Sequence, residues 1–222
     1  MTMAFSTQLI NVMAALLLLI AFAMLSQRRI LSLIYLYAWQ GVVLTANTLV
    51  VAYSSGQSHL YYSAALTFIL KALVLPWILH RLIIRLNIRW DVETLINIPT
   101  TMFAGIVLVV FAFNLALPIT QLAGTITRST LGIAIAIVLL SFLMMITRRK
   151  AVPQVIGFLA LENGLFFAAT STTYGMPLAV ELGIALDLLV GVLILGIFFF
   201  QVRDAFDSLD LRHMEKLKET DE

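Results

Sequence analysis

The chain has 222 residues, of which 61% are hydrophobic and only 12% charged, with a formal net charge of +2 and no cysteine. A soluble domain carries about a quarter charged residues, so this composition excludes a water-facing globular surface and leaves too little polar sequence for a self-contained enzyme. Disulfides and thiolate-held iron–sulfur clusters are excluded as well, and His59, His80 and His213 show no metal-ligand spacing, so no cofactor is expected in this chain.

A spanning helix needs roughly 20 mostly apolar residues to cross a hydrocarbon core about 30 Å thick. The first such run is 8–25, closed by Gln27-Arg28-Arg29. A secretory signal has its basic residues before the apolar run, so this is a first span and not a leader. The second span, 30–53, carries Tyr37, Gln40 and Asn47 on one polar stripe. The third, 60–84, holds Lys71, with Thr67 one turn before it and Pro76 five residues after it, where a bend is expected. Spans at 97–118 and 128–146 follow, the latter closed by Thr147-Arg148-Arg149. The sixth, 153–174, holds Glu162, followed directly by Asn163 and Gly164 and sharing a face with Thr170 and Thr173. The seventh, 178–202, places Gly183, Asp187 and Gly191 on one stripe, with Glu181 nearer its outer end. Small residues around a carboxylate let another helix approach closely. All seven are expected as helices, because lipid offers backbone groups no partner and ten-residue alternation is absent.

Basic residues favour the cytoplasmic side. With the amino terminus outside, twelve of the fourteen Lys and Arg residues fall in cytoplasmic segments; Arg128 lies outside and Lys71 within a span. The tail, 203–222, is then cytoplasmic; its seven acids and four bases make it too polar to insert, whether it docks on a partner or is simply solvated. Arg85, Arg89 and Trp90 serve equally as interfacial anchors or partner contacts. The two halves also look alike: each has a span ending in a double arginine, a span with a central polar residue, a Gly-containing outer turn (Gly56, Gly175) and a span with one central charge. The expected fold is an all-α polytopic transmembrane bundle of about seven spans. It forms a single domain over 1–202, with parallel three-helix units at 8–84 and 128–202 joined by a crossover helix at 97–118.

Three ionisable groups sit near mid-membrane: Lys71, Glu162 and Asp187. Each costs roughly 2.5–3.5 kcal/mol on insertion scales, and a neutral residue would insert better. Lys71 lies about 16 Å from either end of its span, beyond the roughly 6 Å reach of a lysine, so snorkelling falls short. A Glu162–Asp187 pair that fixes helix packing is one explanation; a path for protons is the other, since groups in low dielectric change protonation with small changes in surroundings. The polar stripes of Tyr37, Gln40, Asn47 and Asn163 serve either role.

The segments Phe158-Leu159-Ala160-Leu161-Glu162-Asn163-Gly164 and Glu181-Leu182-Gly183-Ile184-Ala185-Leu186-Asp187 resemble hydrogenase-4 component E, a membrane subunit of formate hydrogenlyase and related group 4 NiFe-hydrogenase complexes. The stretch from Ser63 through Lys71 to Pro76 is similar to that family's third span. Spans five to seven further resemble subunit K of respiratory complex I and the corresponding cation/proton antiporter subunit, with Glu162 and Asp187 at the two carboxylate positions of the hydrophilic axis. The first half departs from that pattern, with Trp39 and Gln40 near the Glu162 place and Lys71 at the Asp187 place. The resemblance implies a non-catalytic subunit in a bacterial or archaeal cytoplasmic membrane, between a hydrogenase-type peripheral arm with its anchoring subunit and antiporter-like subunits. Proton or sodium movement would be coupled to electron transfer, and NiFe and iron–sulfur centres would reside in the partners. An independent secondary transporter and a purely structural spacer are the competing readings; no nucleic acid is expected as a partner.

Overall fold

A computed structural model describes residues 2–85, 92, 94–122, 128–173 and 191. Its elements are α1 (Thr2–Ser26), α2 (Ile30–Ser55), α3 (His59–Thr67), a π-helical segment (Phe68–Val74), α4 (Leu75–Arg85), α5 (Ile98–Leu122), α6 (Arg128–Thr147) and α7 (Ala151–Thr173). The fold is all-helical, with no strand among the described residues. Six helices there are long and apolar enough to cross a membrane, counting α3, the π segment and α4 as one. The chain is a multi-pass membrane protein. The seventh predicted span, 178–202, falls outside the described residues except for Gly191.

Helix ends follow local chemistry. Gly56 adopts φ +68°, a left-handed conformation that strains any residue with a Cβ. Its N–H reaches Ala52 O at 3.0 Å and closes α2 before the chain reverses into α3. Helix α5 continues four residues past the predicted end at Pro118, which sits inside it. In lipid a proline's lost hydrogen bond is tolerated more readily than an early break that would expose several backbone groups.

Pro76 has a subtler effect. It has no N–H to give the carbonyl of Ala72, so the ordinary ladder fails just where the third span should continue. The chain widens over Phe68–Val74, and Leu75 N–H bonds Leu70 O, five residues back. The third span thus runs without interruption from His59 to Arg85, with a π segment built around Lys71 just ahead of the proline.

The hairpins α1–α2 and α6–α7 pack on one another, α1 against α6 and α2 against α7. Helix α5 lies against α6 and α1, with Phe103, Ile106, Val107, Val110 and Phe111 outward. Exposed apolar side chains are expected where the solvent is lipid. Helices α2 and α7 bury the largest share of their length.

At one end of the bundle the two arginine turns are strapped together. Val92 N–H bonds Arg28 O and Leu95 N–H bonds Thr147 O, each at 2.8 Å. Arg148 is 1% exposed, and its Nη2 donates to Leu25 O at 2.7 Å and Met24 O at 3.2 Å. It satisfies last-turn carbonyls of α1 and places a positive charge at the negative end of that helix. A residue read from sequence as an orientation marker is therefore also a buried cap. Burial pulls its guanidinium down to about 10.

Candidate intramembrane site

The centre of the bundle is polar. Lys71, carried by the π segment, is 4% exposed, and its Nζ donates to Glu162 Oε2 on α7 at 2.5 Å. The Phe166 ring, one turn after Glu162, lies 4.6 Å from Nζ, so the ammonium is held by a carboxylate and an aromatic face together. Each charge alone would be expensive at this depth; together each offsets part of the other's desolvation.

Beside the pair, Asn163 Nδ2 donates to Gln40 Oε1 at 3.2 Å and ties α7 to α2. Tyr37, Gln40 and Asn47 are each 0% exposed and Asn163 is 1% exposed, so the stripe on α2 faces inward throughout. Ser63 and Thr67 stand on α3 at 1% and 4% exposure. With Lys71 they form an i, i+4, i+8 row along one face of the third span.

Gly41 makes this geometry possible. A Cβ placed on it would lie 3.0 Å from the backbone carbon of Lys71 and 3.1 Å from Ala72 N. Helix α2 therefore touches the backbone of the π segment directly, and glycine is required by the close approach. Gly164 serves α7 similarly: a Cβ there would lie 2.9 Å from Ile137 Cγ2 on α6.

Of the residues singled out from sequence, Lys71, Glu162, Asn163, Gln40, Asn47 and Tyr37 line the helices that meet here. Asp187, Gly183 and Glu181 lie outside the described residues. Around Gly191, no described atom comes within 4 Å of a placed Cβ. Three contributors to the site were not singled out from sequence: Ser63, Phe166 and Gly41. The helical spacing of Ser63 to Lys71 and of Phe166 to Glu162 was a usable signal. For Gly41 there was none, because its role depends on which helix lies opposite. No group of three or more His, Cys, Asp or Glu residues able to hold a metal occurs among the described residues.

Among known proteins, the chain is 32% identical over 194 residues to the uncharacterized protein Rv0085 of Mycobacterium tuberculosis, covering 87% of this chain and 88% of that protein. The chain belongs to that protein's family. It is more distantly similar, along nearly its full length, to hydrogenase-4 component E of Escherichia coli K12 and of Shigella flexneri. Each is 24% identical over 215 residues, covering 96% of this chain and 98% of the relative. No protein-family model matches the chain, and no solved structure does. In the described bundle the Lys71–Glu162 pair is the feature that calls for a functional account.

Proposed function

We propose that this protein is a non-catalytic membrane subunit of a hydrogenase-like, energy-converting complex, and that Lys71, Glu162 and Asp187 belong to an intramembrane polar axis for coupled proton or sodium movement. The observation that carries the reading is the buried Lys71–Glu162 pair in a chain that aligns along nearly its full length with hydrogenase-4 component E. A pair that served packing alone could be replaced by apolar side chains at no loss, and often with a gain. Its retention at mid-membrane, beside Gln40 and Asn163, fits a role in moving charge.

In this reading the amino terminus faces outside and the tail from Arg203 is cytoplasmic. The chain sits between antiporter-like subunits and the membrane anchor of a peripheral arm that holds the NiFe and iron–sulfur centres. Glu162 and Asp187 would occupy the positions that the complex I subunit K pattern suggests, with Lys71 as the departure peculiar to the first half.

The test is affinity purification of the tagged full chain from native membranes in mild detergent, with mass spectrometry of what accompanies it. A NiFe-hydrogenase-like large subunit recovered with antiporter-like proteins is the expected result. Recovery of the chain alone across several gentle detergents would overturn the reading in favour of an independent transporter. Normal ion coupling in both Glu162→Gln and Asp187→Asn would favour a structural spacer.

A further inference from the structure

Six side-chain atoms close to this site are enclosed and make no hydrogen bond to any described residue: Tyr37 Oη, Gln40 Nε2, Asn47 Nδ2 and Oδ1, Ser63 Oγ and Asn163 Oδ1. Buried polar groups are almost always paired, with protein or with ordered water. Asn47 is the sharpest case, since it is 0% exposed with neither end of its amide met.

These atoms follow a line. Helix α2 and the third span form an antiparallel hairpin around Gly56. Its register is pinned at one level by Gly41 against Lys71 and Ala72, and at another by Val51 and Ala52 packed with Leu60. Between those levels Asn47 stands opposite the turn Ser63–Thr67. At 1.5 Å per residue, Asn47 is about 10 Å from Gln40 along α2, toward the Gly56 end. Beyond Asn47 the line meets the apolar cluster of Val51, Ala52, Leu60 and Ile10, and beyond that the polar residues Ser54, Ser55, Gln57 and Ser58.

We infer that the α2–α3 seam is an internal water-binding site that links the Lys71–Glu162 pair to the Gly56 face of the membrane, with the Val51–Ala52–Leu60 cluster as its barrier. A water bonds the unmet atoms of Asn47 and Ser63 together, as it needs two to four polar partners and the seam supplies them. The role assigned to this site, proton exchange between the pair and that face, rests on the proposed function; its hydration does not. Short apolar constrictions hold a water file closed until they are wetted, and Leu60 is the bulkiest side chain there.

The chain has no cysteine, so one introduced thiol is the only thiol it carries. A thiol reacts with N-ethylmaleimide as thiolate, which forms where water reaches it and is suppressed in apolar surroundings. Ser63→Cys changes one atom; Ala134→Cys, 1% exposed in the apolar core, is its control. In native membranes Ser63→Cys is expected to react at least tenfold faster than Ala134→Cys. Asn47→Leu added to it should abolish the difference, and Leu60→Ala added to it should raise the rate further. In that last variant, a membrane-impermeant cationic methanethiosulfonate should block the thiol when applied from the Gly56 face. Equal reactivity of Ser63→Cys and Ala134→Cys would overturn the site, and block only from the opposite face would overturn its direction. None of these readouts depends on turnover, so they stand or fall separately from the effect of Glu162→Gln on ion coupling.

Discussion

Lys71 Nζ and Glu162 Oε2 lie 2.5 Å apart across 91 residues of chain, joining the widened third span to α7. Three local features converge on that contact. Pro76 denies the helix a donor and shifts Leu75 N–H to Leu70 O, Gly41 lets the widened backbone lie against α2, and Phe166 covers the ammonium. The consequences can be tested one at a time.

Glu162→Gln leaves the ammonium facing a neutral oxygen. Breaking a buried pair costs about 3–5 kcal/mol, and the lower end is expected because the amide still accepts a hydrogen bond. The complex should remain assembled while ion-coupled turnover falls. Lys71→Met combined with Glu162→Leu should recover most of the lost stability and none of the coupling. Thermal unfolding in detergent and turnover in native membranes separate the two effects; coupling restored in the double variant would argue for packing alone.

Gly41→Ala and Gly157→Ala add the same methyl in two different settings. At Gly41 the nearest atoms are backbone, at 3.0–3.1 Å, whereas at Gly157 the nearest is Met145 Cγ at 2.9 Å, part of a flexible side chain. Overpacking against fixed backbone costs about 1–3 kcal/mol. Gly41→Ala should therefore lower the unfolding temperature clearly and impair coupling by displacing Lys71, while Gly157→Ala should do neither.

Arg28 and Arg148 occupy equivalent places in the two double-arginine turns, yet they should behave differently. Arg148 is buried and donates to two carbonyls of α1; the side chain of Arg28 is exposed, and only its backbone carbonyl is used. Losing hydrogen bonds from a charged donor costs about 1.5–3 kcal/mol, so Arg148→Met should destabilise by that amount. Arg28→Met should stay within about 0.5 kcal/mol. With its guanidinium lowered by burial to about 10, Arg148 remains charged at neutral pH. Its desolvation cost is present in full below about 10 and relieved only as pH rises from there toward the ordinary arginine value. The Arg148→Met deficit should therefore be constant from pH 6 to 8 in unfolding measurements.

The Gln40–Asn163 amide bridge predicts a non-additive cycle. Either residue changed to Leu strands the other's buried amide, at about 1–3 kcal/mol. Both changed together should cost less than the sum of the single changes, in thermal unfolding of all four proteins.

The membrane-spanning architecture was legible in the residues themselves. The six described spans begin and end within a few residues of where apolar runs of spanning length begin and end, because insertion depends on the local sum of side-chain transfer energies. The inward stripe of Tyr37, Gln40 and Asn47 was legible too, as a helix turns each residue through a fixed angle. Tertiary structure decided what those stripes meet. Glu162 meets Lys71, two residues that the sequence places near mid-membrane without pairing them; the chain widens into a π segment ahead of Pro76; Arg148, one of many basic residues by sequence, is a buried cap. The Lys71–Glu162 pairing and the Arg148 cap depend on the register and closeness of helices far apart in the chain. No local periodicity encodes that register; it is set by contacts such as Gly41 against the Lys71 backbone, where the absence of one methyl group determines which two charges meet.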